Sequence, residues 1–219
     1  MRRLSIRGGE FTEIFDDKQN VIGKSVDVII VNAAPVSRSY FGGEFDPNKS
    51  TAPVCWSDDT QRPSSNVSED NLQARRCMDC TQNVRGSGEN GGRAWRFQQR
   101  LAVVVEEDLE EIYQLQIPAS TIFGRVVNGN MGMQAYARHL TSHDMSILAV
   151  VTNIRFDEDS VVPKLYFKPV RPVDVDMGIK LSEMVVHEDT KRAITSFVPV
   201  TSEPSPFGKV EGGFDINAN

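Results

Sequence analysis

Leu101-Ala102-Val103-Val104-Val105 and, beyond the acidic segment 106–111, Ile112-Tyr113-Gln114-Leu115-Gln116-Ile117 decide the fold class. Both runs are short and rich in β-branched or aromatic residues, and the second alternates with a period of two, so they read as strands joined by a hairpin. Working outward, Val26-Asp27-Val28-Ile29-Ile30-Val31 and the segments 148–156 and 163–170 have the same character. Between the strand ending at Ile117 and the one beginning at Leu148, Pro118-Ala119-Ser120 offers a helix start and Met133 to Leu140 a compact helical segment. The expected order is β-β-β-α-β-β in a mainly β chain with a few helices. That is the order of an oligonucleotide- and oligosaccharide-binding (OB) barrel, five strands in a partly open Greek key.

Residues 37–99 read as a long irregular insertion into this barrel, punctuated by Gly42-Gly43, Pro47, Pro53, Pro63 and the glycines from Gly86 to Gly92. Only Asp70 to Arg76 suggests a short helix there. The expected organisation is a nucleic-acid-binding domain over 1–173, a helical extension over 174–198 with Leu181, Met184 and Val185 inward, and a flexible tail over 199–219.

The chain has 219 residues, 39% of them hydrophobic and 25% charged, with 24 basic against 30 acidic side chains and a net charge of −6. A polyanion partner must therefore meet a local surface. No run approaches a membrane span, and Met1-Arg2-Arg3 leads into alternation instead of a signal-peptide core, so an intracellular protein is expected. Three cysteines in such a compartment read as metal ligands or plain thiols.

Those cysteines are Cys55, Cys77 and Cys80, the last two in the knuckle Cys77-Met78-Asp79-Cys80. A tetrahedral zinc site needs a fourth ligand. The place to look for it, some 12 to 20 residues after the knuckle, holds Trp95 and no Cys or His. His139 or His143 would serve only if the fold brings them near. A metal-free knuckle held by hydrogen bonds stays open beside a zinc ion with an unidentified fourth ligand.

Around the knuckle the charge reverses. Arg75, Arg76, Arg85, Arg93, Arg96 and Arg100 face only Asp79 and Glu89, and Trp95 and Phe97 lie in the same window. Arginine grips phosphates and aromatic rings stack bases, so the composition suits single-stranded nucleic acid. Tyr40, Trp56 and Tyr113 extend the candidate track, Tyr113 as an outward platform on the face opposite Ile112. The rival reading is a solvated loop whose arginines pair with the acidic run 106–111. Enzyme signatures are absent: Gly23-Lys24-Ser25 lacks the first glycine of a phosphate-binding loop, and His139-Leu140-Thr141-Ser142-His143 lacks the glutamate of a zinc protease. No catalytic residues are assigned.

Several stretches taken together resemble a largely uncharacterised family from short-tailed marine phages, including cyanophages. They are Arg3 to Phe11, Cys55-Trp56-Ser57, Arg76 to Cys80, Asn83 to Gly88, Gln99 to Val104 and Tyr113 to Pro118. The similarity spans residues 1 to about 173. It implies a four-cysteine zinc knuckle in relatives, whose fourth cysteine stands where this chain has Trp95. By analogy with phage single-stranded DNA-binding proteins, it also implies a role in DNA replication or recombination, with single-stranded DNA and phage replication proteins as partners. The setting would be the cytoplasm of the infected host cell, with homo-oligomers allowed. The weakly acidic tail departs from the strongly acidic one such proteins often carry. Two alternatives remain: an interaction protein, as host transcription regulator or virion component, and a metal-dependent nuclease using the carboxylates of 106–111.

Overall fold

The computed structural model describes residues 1–16, 18–42, 52–88 and 91–195. Gly43, Pro47 and Glu89 and the tail 199–219 lie outside the described residues. The chain is mainly β, 38% strand against 26% helix. The five expected strands are present as β4 (Ser25–Ala33), β7 (Trp95–Val105), β8 (Asp108–Pro118), β9 (Val150–Phe156) and β10 (Leu165–Pro172). Five more join them: β1 (Arg3–Ser5), β2 (Phe11–Phe15), β3 (Lys18–Gly23), β5 (Ser37–Tyr40) and β6 (Cys55–Ser57).

All ten form one curled, open sheet in the order β10-β9-β4-β7-β8-β1-β2-β3, with β5 on β7 and β6 on β5. Most neighbours are antiparallel, but β1 lies parallel to β8 through Arg3↔Gln114 and Leu4↔Leu115. Three residues carry too little periodicity to mark β1 in the sequence; tertiary pairing creates it.

Helices cover both faces of the central strands. The concave face packs Val28, Ile30, Leu101, Val103, Leu115 and Ile117 against Ile122 of α1 (Ala119–Ile122) and against Met133, Tyr136 and Leu140 of α2 (Met133–Ser142). The opposite face packs Ile29, Val31, Ala102, Val104 and Ile112 against Leu181 of α3 (Val175–Val185) and Ala193 of α4 (Glu188–Ile194). Double coverage explains why Ile29-Ile30-Val31 and Leu101 to Val105 are continuously apolar. The helical extension expected over 174–198 is two helices as far as residue 195, because the His187 side chain caps a new start by accepting from the Asp189 N–H. Leu181 is buried as expected, with Met184 and Val185 partly buried beside it. Within 70–76 only the 3₁₀ turn Glu69–Asn71 is helical. No helix among the described residues is long and apolar enough to cross a membrane.

Candidate nucleic-acid interface

Strand β7 outruns the helices at its N-terminal end, where β5 pairs with it and β6 pairs with β5. Tyr40 stands opposite both Cys55 and Trp95, and Arg38 opposite both Ser57 and Phe97. These residues share one face. One position along, Ser37, Ser39, Trp56, Arg96 and Gln98 share the other.

The 3₁₀ turn Cys77–Asp79 caps the first face. Cys55, Cys77 and Cys80 are all buried, and Cys55 and Cys80 pack with Trp95. Each sulfur has a hydrogen-bonding neighbour: the Gln73 N–H at Cys55, the Ser57 hydroxyl at Cys77, and the Trp95 Nε1–H donating to Cys80 Sγ at 3.2 Å. Burial nevertheless pushes the Cys55 and Cys77 thiols up. Ser57 Oγ also donates to Asp59 Oδ1 at 3.1 Å.

Arg38 lies beside this cluster, 6% exposed, with its guanidinium 4.8 Å from the Phe97 ring centroid and 5.9 Å from that of Trp95. Its Nη1 reaches the Cys77 carbonyl at 3.5 Å, and its Nε has no partner among the described residues. Burial lowers its pKa, opposed by Cys77 and Cys80. Among the described residues no group of three or more His, Cys, Asp or Glu is arranged to hold a metal ion. His139 on α2 and His143 at its C-cap instead face each other, ring centroids 4.4 Å apart and planes tilted by 49°.

In front of Trp95 opens a cleft of about 560 Å³ lined by Arg85, Gly92, Arg93, Trp95, Phe97 and Phe123. Phe97 and Phe123 meet edge to face at 5.7 Å. Phe123, at the end of α1, is 49% exposed. Arg85 and Arg93 are exposed and form no ion pair with a described residue. Their loop is tight, with Gly86 N and Gly88 N both donating to the Gly92 carbonyl.

The structure thus brings together Arg85, Arg93, Trp95 and Phe97 and adds Phe123, which nothing in the sequence marked. Phe123 arrives through the hairpin: β8 pairs Pro118 with Gln98, so α1 begins beside Phe97. Other candidates are elsewhere. Arg75 and Arg76 are exposed around the cysteine turn, Arg76 paired with Asp79 at 3.5 Å. Tyr40 is half-buried, 6.1 Å from Trp95. Arg96, Arg100 and Trp56 are on the reverse face, Arg96 over the Phe41 ring and the other two buried.

Trp95 lines the cleft but is 4% exposed, which leaves too little of the ring free for a base to stack on. Tyr113 is no outward platform. It is 3% exposed in the concave core because both faces of β8 are covered there, and its hydroxyl donates to the Glu13 carboxylate.

The acidic run does not neutralise the basic window. Glu106 pairs with Arg171, Glu110 with Lys180, and Glu111 with Arg2 at 2.6 Å.

No family model, no curated protein and no solved structure matches the chain.

Proposed function

We propose that this protein binds single-stranded DNA, with little sequence preference, in phage replication or recombination. In this reading the curled half-barrel acts as an OB-type barrel, with residues 37–99 as its cysteine-bearing flap. One observation carries the reading: two exposed arginines that pair with no described residue, Arg85 and Arg93, border a cleft whose wall is the Phe97–Phe123 pair. Guanidinium groups hold phosphates while a base slides against the exposed Phe123 ring, a combination that every base satisfies. Arg75 and Arg76 extend the basic surface over the turn. Cys55, Cys77 and Cys80 hold the turn under the cleft, and they are the thiols a zinc ion would use, as structural support only. The protein acts without catalysis, in the cytoplasm of the infected cell.

The test is fluorescence anisotropy of a labelled single strand against rising salt, with duplex DNA and RNA as competitors. Salt-sensitive, strand-selective binding is expected. No binding at micromolar protein in low salt would overturn the reading and move first place to the interaction protein. That alternative has its own support in α3, where Val175 and Ile179, one turn apart, are exposed.

A further inference from the structure

The reverse face of the β5–β6–β7 patch carries a second feature, independent of the cleft. Arg100 follows Gln98 on that face of β7, just where the cover of α3 and α4 over Ala102 and Val104 gives out. It is 5% exposed, yet its guanidinium makes no hydrogen bond or ion pair with any described residue. Burial lowers its pKa and the only opposing influence is the charge of Asp58 at a distance. An arginine stays protonated in a protein, and none of the Arg100 guanidinium nitrogens is sealed from solvent without a partner. A cation hydrated only through a narrow opening favours an anion that reaches it.

A way in exists. Ser39, Trp56, Gln98 and Arg100, with the exposed Asp58 and with Arg38 and Ser57 of β5 and β6, line a recess of about 10 Å³. That is the space of one water-sized group, so one oxygen enters and the rest of the ligand stays outside. The wall is fixed by its own hydrogen bonds. Ser37 Oγ donates to the Gln98 carbonyl at 3.2 Å, Gln98 Nε2 to Ser39 Oγ at 3.3 Å, and Gln116 Nε2 to Gln98 Oε1 at 2.6 Å. Ser39 accepts in this chain and donates to no described residue, which leaves its hydroxyl proton for a ligand. A preorganised guanidinium plus a hydroxyl donor matches a phosphoryl oxygen.

We infer that the recess over Arg100 is an oxyanion site that takes one oxygen of a phosphate group. Asp58 is its exposed competitor, holding the potential at the rim down when the site is empty. The phosphate comes either from the backbone of a strand or from a free phosphate, and the chemistry at Arg100 is the same.

The experiment follows the arginine Nε–H resonances of the full chain by NMR while inorganic phosphate replaces chloride at constant ionic strength. One resonance is expected to shift saturably, to vanish from the spectrum in Arg100→Met, and to saturate at about two- to fivefold lower phosphate in Asp58→Asn, the size of an exposed ion-pair effect. No saturable shift in the wild type, or the same shift in Arg100→Met, would overturn the site. Should Arg100→Met not fold, Asp58→Asn decides, since an unchanged midpoint contradicts the geometry. A short single strand is the second arm: movement of the same resonance, reversed by competing phosphate, identifies the backbone as the source, and response to inorganic phosphate alone identifies free phosphate. Phe123→Ala separates this inference from the proposed function, because it weakens the cleft and leaves the Arg100 shift in place.

Discussion

The indole N–H of Trp95 points at the sulfur of Cys80, 3.2 Å away, from the wall of the cleft that the same residue helps to line. A tryptophan thus packs into the side of a thiol cluster, against Cys55 and Cys80. Neutral sulfur is a weak acceptor, so this bond alone stabilises little, but the buried ring fills the space between the turn and β7. The turn, the cysteines and the cleft therefore share one side chain.

Trp95→Cys is expected to convert the cluster into a four-thiol site. Purified with zinc present, the variant should retain about one ion per chain, as closed four-ligand structural sites do, while the wild type retains less. Metal analysis after exhaustive dialysis checks this; equal zinc in both proteins would show that position 95 is not the missing corner.

Phe123→Ala tests the cleft without disturbing the core, since the ring is half exposed. Loss of one stacked base costs roughly 1 to 3 kcal/mol of single-strand affinity. Arg85→Ala and Arg93→Ala should each lower the slope of log affinity against log salt by about 0.7 if each holds one phosphate. An unchanged slope in both would remove the arginines from the interface. Thermal denaturation should find all three variants close to wild type.

Much of this was legible beforehand because burial leaves a composition. Apolar runs on both sides of Ile30 and Val103 identify strands covered twice, and Arg85, Arg93, Trp95 and Phe97 stand close enough in sequence to be grouped by eye. Three things were not. Strands β5 and β6 are polar and short, and they exist because β7 extends past the helices and offers an unpaired edge. The same extension splits the arginines: alternation along β7 sends Arg96 and Arg100 to the face opposite Trp95 and Phe97. Tyr113 follows the alternation that suggested an outward ring, but α1, α2 and β2 turn that face into core. A period of two tells which residues share a face, and only tertiary packing tells whether that face meets water.

Gly88 is expected to resist substitution. A Cβ there would lie 2.6 Å from the Arg93 carbonyl carbon and 2.7 Å from the Ala94 nitrogen, both backbone atoms that cannot rotate away. Gly88→Ala must open the loop that presents Arg85 and Arg93. Single-strand affinity should fall although no charge or ring is removed, and the loss should resemble that of the Arg85→Ala, Arg93→Ala double variant. Affinity equal to wild type would mean the cleft does not need this loop conformation.

Tyr113 gives the fold an alkaline limit. Burial, reinforced by the Glu13 carboxylate that accepts its hydrogen bond and by the charge of Asp108, raises its pKa from 10.0 to about 12. The folded protein holds the phenol proton where the unfolded chain has released it. Between pH 10 and 12 the unfolded state therefore binds fewer protons than the native one, and stability falls as pH rises; below pH 10 both states are protonated and this contribution is constant. By the upper end of the window the loss amounts to roughly 2 to 3 kcal/mol. Tyr113→Phe keeps the ring in the core and removes the ionisation, so its denaturation midpoint should decline less between pH 9 and 12 than that of the wild type. It should also start lower at pH 9 by about 1 kcal/mol, because the Glu13 hydrogen bond is gone. Parallel midpoint curves for the two proteins across that window would place the alkaline sensitivity in another tyrosine.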